Sequence, residues 1–252
     1  MPDFRVYCQP AEREPAEIRL NAEESHHLVT VNRCSRGDPV MAFDGHGREW
    51  VTECAEPSKN AAVLRVREIR VAKPLLHEIT LAQALPKGAT MDDIVRQATQ
   101  VGAACINPLL SERTQVHLDG DRAEKKVEKW RTVAVEAAKQ CGNPWLPEIR
   151  SIENFAAFVT SVRDYDLKLV ASLHAGTTQL KTALRHHRDK HAGMLPRKVA
   201  WLVGPEGDFS PAEITAAITA GFQPITLGPL VLRSDTAAIY ALSILSYELQ
   251  SG

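Results

Sequence analysis

The sequence predicts an α/β fold in which a small β-barrel precedes a larger domain built on a mostly parallel sheet. Up to residue 73, turn residues separate short apolar or alternating runs, as in small barrels. From Pro74 onwards, apolar strands alternate with longer amphipathic segments, which is typical of repeated βα units. We therefore predict two domains, 1–73 and 74–252. The 252 residues, 44% of them hydrophobic, are enough chain for two cores.

The elements of the first domain follow from alternation and turn chemistry. Pairs such as Gly37-Asp38 and Asp44-Gly45 are typical of the tight turns that separate short strands. One helical turn is expected at 23–28. The predicted strands cover 5–7, 27–31, 39–43, 50–54 and 63–71.

Residues typical of helix starts and ends occur at several places in the second domain. Thr90 is expected to cap a helix that carries Asp92 and Asp93 in its first turn and stops at Gly102. Further helices are predicted at 122–141 and 236–249, and the last is so rich in Ala, Ile and Leu that we expect it almost entirely buried. The predicted strands cover 79–85, 104–110, 167–173 and 199–203.

Composition excludes several classes of protein. A formal net charge of −1 excludes a polycation, although local basic clusters at 33–36, 65–73 and 181–198 leave room for a few phosphate contacts and a modest salt dependence. Five scattered cysteines with no C-x-x-C pair predict reduced thiols in a cytoplasmic protein. The longest uncharged stretch, 214–232, is broken by Gly and Pro, so we expect no membrane span.

No metal site is expected. His186, His187 and His191 have helical spacing, but no carboxylate or cysteine accompanies them at a matching interval and their neighbours are basic. The sequence also lacks a P-loop, a G-x-G-x-x-G fingerprint after a strand and a G-x-S-x-G elbow, which argues against the enzyme classes that use them.

The segment 201–213 is the first informative motif. A predicted strand runs into the turn Gly204-Pro205-Glu206-Gly207 and then into a helix. Ser210 is expected to cap that helix, with Pro211 at its first position and Glu213 completing a capping box. Ligands of open α/β sheets bind where strands end, and glycines admit a close ligand. A plain tight β–α turn explains the same spacing equally well.

The segment 225–237 is the second informative motif. A short strand ends at Gly228, the apolar residues Leu230, Val231 and Leu232 follow, and a helix begins at Ser234 or Asp235. Since loops normally expose polar groups, these three side chains need a cover. A ligand ring or a subunit interface would provide one.

Together the two motifs resemble the cofactor loops of the SPOUT methyltransferases, Gly-Pro-Glu-Gly and Leu-Gly-x-x-Val-Leu-Arg. Several further segments make nearly the whole chain resemble the RsmE family. The resemblance implies a PUA-like RNA-binding β-barrel followed by a SPOUT α/β domain with a trefoil knot. The further matching segments are 85–92, 97–102, 108–114, 134–142 with Trp130, 146–149, 43–45, and 26–28 with Arg33.

That family implies a homodimeric, S-adenosylmethionine (SAM)-dependent enzyme that methylates N3 of a uridine in 16S ribosomal RNA of the 30S subunit. The expected cofactor residues are Leu173, His174, Gly204, Pro205, Glu206, Gly207, Leu227, Gly228, Leu230, Val231 and Leu232. The expected RNA contacts are Arg5, His27, Arg33 and Arg36. Arg233 or Arg113 would stabilise the uracil anion, with Glu112 or Asp235 as base or orienting group.

Alternatives remain at this point. Each arginine is equally explained as a structural ion-pair partner. Three departures from the family pattern, Asp235 for Glu, Leu230 for Arg and Asn143 for Arg, bear on the RNA contacts. Two other functions stay open: a SPOUT enzyme for tRNA or 23S rRNA, and an RNA-binding protein without catalytic activity. The intact glycines and the Leu-Val-Leu loop argue against the inactive protein.

Overall fold

A computed structural model describes residues 4–10, 14–116, 120–174 and 176–250. By their contacts these residues form two compact units. The first runs to Pro74 and also includes Val135–Leu146, a segment that the sequence places in the second domain. The second comprises Leu75–Ala134 and the chain from Pro147 onwards.

The first unit is a curled five-stranded sheet with one short helical segment. Its sheet order is β1-β3-β4-β5-β2, in which β1 runs parallel to β3 and the other neighbours are antiparallel. The predicted small all-β domain is confirmed. Its elements are β1 (Phe4–Tyr7), β2 (Glu17–Arg19), α1 (Ala22–His26), a π-helical turn (His27–Val31), β3 (Pro39–Phe43), β4 (Arg48–Glu56) and β5 (Val63–Val71).

The strand predicted at 27–31 is wrong, and β2 was missed. Asn21 caps α1 by accepting a hydrogen bond from the Glu24 N–H at 2.8 Å, and the helical path continues until the Asn32 N–H donates to the His27 carbonyl at 3.0 Å. Only Leu28 in this segment is buried. The alternating burial that a half-exposed strand needs is therefore missing.

The second unit is an α/β layer structure around one sheet, as predicted. The sheet order is β11-β13-β10-β12-β6-β7-β8, β9 pairs with β7, and every pairing is parallel. Its strands are β6 (Glu78–Ala84), β7 (Cys105–Leu110), β8 (Glu148–Ile149), β9 (Glu153–Asn154), β10 (Leu167–Ala171), β11 (Thr178–Gln179), β12 (Lys198–Val203) and β13 (Gln223–Thr226). Its helices are α2 (Thr90–Gln100), α3 (Gly120–Cys141, whose last part from Val135 belongs to the first unit), α4 (Phe155–Ser161), α5 (Leu180–Lys190), α6 (Pro211–Thr219) and α7 (Ser234–Gln250).

Both faces of this sheet are covered. In β12, Val199, Trp201 and Val203 pack into one apolar core, while Ala200 and Leu202 pack into another on the opposite face. A continuous apolar run is what such a doubly covered parallel strand requires. The core positions predicted for Trp130 and Trp201 are confirmed, because they are 2% and 0% exposed.

Three local predictions in this unit need correction. Thr90 lies inside α2, whose capping position is Ala89, without a side-chain cap bond. Strand β10 ends at Ala171 rather than at Leu173. Helix α7 buries one face only, since Tyr240 and Tyr247 are 48% and 71% exposed. An apolar composition alone therefore does not distinguish a fully buried helix from one that buries a single face.

Two chemical expectations concern groups outside the site. All five cysteines are free, and burial raises the pKa of Cys8 and Cys105 to about 12, so those thiols stay protonated at neutral pH. In the described part of the chain, no helix is long and apolar enough to cross a membrane, and no group of three or more possible metal ligands is found. His187 and His191 instead stack at 4.1 Å between ring centroids.

Candidate functional site

A cavity of about 290 Å³ opens at the carboxyl ends of three neighbouring strands of the second unit. These strands are β10, β12 and β13, and the loops that follow them line it. Such an edge is where open α/β sheets bind their ligands. Nine of the eleven predicted cofactor residues line the cavity, all except His174 and Gly207.

The turn after β12, 204–209, is held by bonds from three other segments. Arg113 Nη1 donates to the Gly207 carbonyl at 2.6 Å. The Lys87 N–H donates to Glu206 Oε1 at 2.9 Å, and Ser234 Oγ donates to the Gly204 carbonyl at 2.7 Å. The turn is therefore fixed before any ligand arrives.

Gly204 is required by the turn itself. A Cβ at this position would lie 3.1 Å from the backbone nitrogen of Phe209 and 3.2 Å from Asp208 Cα, closer than a side chain normally comes to backbone. A Cβ at Gly207 would meet only the flexible Arg113 side chain, with Cδ 3.5 Å away. The two glycines, alike in the sequence, thus differ in the structure.

The predicted capping box of α6 is confirmed. Ser210 Oγ accepts from the Glu213 N–H at 3.3 Å, and Glu213 Oε2 accepts from the Ser210 N–H at 2.9 Å. The second oxygen of Glu213 accepts the Glu112 N–H at 2.8 Å. Glu112 thus reaches this region through its backbone.

A buried polar network joins the turn to the start of α7. Gln83, fully buried, donates through Nε2 to Ser234 Oγ at 2.9 Å and to the Ala84 carbonyl at 2.8 Å. Ser234 in turn donates to Gly204. Gln83 was not predicted, since nothing in its local sequence indicates a partner 151 residues away.

Asp208 is a second residue that the sequence analysis missed. Its backbone is left-handed, with a φ of 57°, and the residue lines the cavity. Oδ1 accepts from the Phe209 N–H at 2.8 Å, while Oδ2 accepts from the Leu173 N–H at 3.3 Å and lies 3.9 Å from His174 Nε2. Asp is among the few residues that adopt this backbone, which is the one signal available in the sequence.

The loop after β13, 227–233, is built differently. Leu230 and Val231 are 74% and 76% exposed at the cavity, and Gly228 has a φ of 128°, a backbone that favours glycine. Within the described residues, the backbone N–H groups of 230–233 have no hydrogen-bond acceptor. This loop therefore presents free donors and apolar surface together.

The four predicted catalytic residues fall into two pairs. Arg233 lines the cavity, with 79% of its side chain exposed and its Nε 3.3 Å from Asp235 Oδ1. Arg113 and Glu112 are instead tied to Gly207 and Glu213. Arg233 therefore faces the cavity with Asp235 as its ion-pair partner, whereas Arg113 bonds the turn and Glu112 bonds helix α6.

The predicted RNA contacts lie in the first unit and are only partly brought together. Arg5 and His27 line a cavity of about 520 Å³, where Arg5 Nη1 pairs with Glu49 at 2.7 Å. Arg33 and Arg36 are exposed and are not among the residues lining that cavity. The basic cluster at 65–73 is largely neutralised, as Arg65, Arg67 and Arg70 pair with Glu17, Glu53 and Glu68.

Comparisons with known proteins agree with this architecture. A family model described as an RNA methyltransferase domain matches residues 73–246, and one described as an RNA methyltransferase PUA domain matches 20–67. Proteins named ribosomal RNA small subunit methyltransferase E are similar in sequence. The one from Synechocystis is 32% identical over 98% of this chain and 78% of the relative, and the one from Bacillus subtilis is 30% identical over 94% and 92%.

Solved structures agree as well. A methyltransferase from Legionella pneumophila in complex with SAM has a TM-score of 0.86 and 32% identity, covering 97% of both chains. The ribosomal RNA small subunit methyltransferase E from Neisseria gonorrhoeae, bound to SAM, has a TM-score of 0.85 and 25% identity over 98% of both. The chain belongs to the RsmE family, the ribosomal RNA small subunit methyltransferases E.

Proposed function

We propose that this chain transfers a methyl group from SAM to N3 of a uridine in 16S ribosomal RNA. The cavity at the ends of β10, β12 and β13 carries the proposal, because the motifs identified in the sequence meet there. Two solved structures of similar fold contain SAM. The trefoil knot implied by the family resemblance is part of the same proposal.

The residues around the cavity suit an adenosine-bearing cofactor. The free N–H groups of 230–233 are donors for a heteroaromatic ring, and Leu230 and Val231 supply apolar surface to cover it. SAM supplies an activated methyl group on a sulfonium when bound. The braced turn, fixed beforehand by Arg113, Lys87 and Ser234, reduces the cost of ordering the site.

For the acceptor, Arg233 and Asp235 are the stronger candidates. Uracil N3 carries a proton that has to leave, and a guanidinium stabilises the anion that remains. Arg233 faces the cavity with most of its side chain exposed, and Asp235 lies within 3.3 Å to orient it or accept the proton. Arg113 donates to the Gly207 carbonyl, so we assign it a positioning role.

Single-turnover methylation of 30S particles tests this assignment. Arg233→Ala should slow methyl transfer by about 100-fold, in the range of lost charge stabilisation, with SAM affinity changed little. Arg113→Ala should weaken SAM binding and leave the rate at saturating SAM closer to wild type. A wild-type rate in Arg233→Ala would contradict the assignment of Arg233, and unchanged SAM affinity in Arg113→Ala would contradict the positioning role of Arg113.

The substrate requires its own experiment. Tritiated methyl transfer to purified 16S rRNA, 23S rRNA and tRNA, and to 30S particles, should label one uridine N3 of 16S rRNA. Label in tRNA or 23S rRNA would instead assign a SPOUT enzyme for that RNA. SAM binding without any transfer would leave an RNA-binding protein without catalytic activity.

We further propose that the chain is a cytoplasmic homodimer acting on the 30S subunit. Exposed apolar side chains at Leu230, Val231, Tyr240 and Tyr247 support a subunit interface, since an interface would remove them from water. Sedimentation equilibrium should give twice the chain mass of 27.8 kDa. A monomer at micromolar concentration would contradict this part.

A further inference from the structure

Asp208 is a charged residue that lines the cavity and whose side chain is mostly buried. Three charged residues line the cavity, Glu206, Asp208 and Arg233. Glu206 is an exposed residue and the Arg233 side chain is 79% exposed, but the Asp208 side chain is only 15% exposed. A charge held away from bulk water acts more strongly on a ligand.

The backbone of Asp208 adds a second observation. Its φ of 57° is a left-handed conformation that glycine adopts freely and that costs other residues of order 1 kcal/mol. Aspartate is one of the few residues with a side chain that adopt this conformation, so the turn at 208 accommodates a carboxylate. The carboxylate is also held in place by the N–H groups of Phe209 and Leu173, and Asp208 and Leu173 both line the cavity.

Methyl transfer changes the charge of the cofactor. The S–CH3 bond breaks and its electron pair stays on sulfur, while an N3–CH3 bond forms and the N3 proton passes to Asp235 or to water. The sulfonium of SAM therefore becomes the neutral thioether of S-adenosylhomocysteine (SAH). A fixed carboxylate beside the cavity distinguishes these two forms by one unit of charge.

Resting on the proposed function, we propose that Asp208 is a specificity-determining residue that favours cationic SAM over neutral SAH. It thereby assists product release after each turnover. Asp208 acts on the bound cofactor electrostatically, through its negative charge. It does not accept or donate a proton in the reaction. Its hydrogen bonds to Leu173 and Phe209 keep the carboxylate where this charge acts.

Two variants separate charge from folding. Asp208→Asn removes the charge, but asparagine also tolerates the left-handed backbone and keeps an oxygen acceptor. Asp208→Gly removes the side chain and relieves the backbone, so it folds even if asparagine disturbs the turn. Asp164→Asn is the control for net charge, since this exposed carboxylate lies near the amino end of β10, at the opposite edge of the sheet.

Calorimetric titration of each protein with SAM and with SAH gives the decisive ratio of dissociation constants. Wild type and Asp164→Asn should share one preference for SAM, and both Asp208 variants should reduce it about fivefold, less at high salt. Product inhibition by SAH should strengthen correspondingly. An unchanged ratio in both variants, even with both affinities reduced, would overturn the proposal. If wild type binds neither compound, the proposed function itself fails.

Discussion

The two loops that form the cavity differ in how they are held. The turn 204–209 receives bonds from Arg113, Lys87 and Ser234. The loop 227–233 exposes Leu230 and Val231, and among the described residues the N–H groups of 230–233 have no acceptors. One wall of the site is preorganised, and the other is left for a ligand or a partner to complete.

This difference has a physical basis. A braced loop has already lost its conformational entropy during folding, so binding to it costs little further ordering. An unbraced apolar loop gains stability only when something covers it. The comparison predicts that substitutions in the turn reduce the stability of the free protein, whereas substitutions in the loop reduce binding.

The largest effect is expected at Gly204. Gly204→Ala places a Cβ against the backbone of Phe209 and Asp208, so the turn has to move, and we expect a loss of about 1–3 kcal/mol in the free energy of unfolding. Urea denaturation measures it. Gly207→Ala is the matched control, because its Cβ would meet only the Arg113 side chain at ordinary distance. Equal losses at both positions would refute this distinction.

A smaller effect is expected at Ser234. Ser234→Ala removes the donor to the Gly204 carbonyl and an acceptor for the buried Gln83 amide, which should cost about 1–2 kcal/mol. Ser246→Ala removes a hydroxyl of the same helix that bonds Gln250 one turn away, and should cost less than about 0.5 kcal/mol. If the two serines prove equal, the brace at Gly204 contributes nothing.

The smallest effect on stability is expected in the loop. The double substitution Leu230→Ser and Val231→Ser should change the unfolding free energy by less than about 0.5 kcal/mol, since both side chains are already exposed. SAM affinity should nevertheless fall about tenfold through lost apolar contact. A large loss of stability would show that the free protein already packs these side chains.

Local sequence signals predicted part of this site. Ser210, Pro211 and Glu213 formed the capping box expected from their spacing, because such caps involve only neighbouring residues. The cavity at the ends of β12 and β13 likewise followed from strands that run into glycine-containing turns.

Other features depend on tertiary structure and were not predictable in this way. Gln83 and Ser234 are far apart in the chain, and Asp208 acquires its importance from Leu173 across the cavity. The apolar composition of 27–31 predicts a strand, but in the structure the helical path that begins at the Asn21 cap continues through this segment. In each case a partner or a neighbouring element outweighed the local pattern.

Hydrogen–deuterium exchange with and without SAM tests the comparison most directly. SAM should slow hydrogen–deuterium exchange in both 204–209 and 227–233. The larger change should fall in 227–233, because the N–H groups of 230–233 have no acceptors among the described residues. Protection confined to other segments, or an equal and small change in both loops, would contradict it.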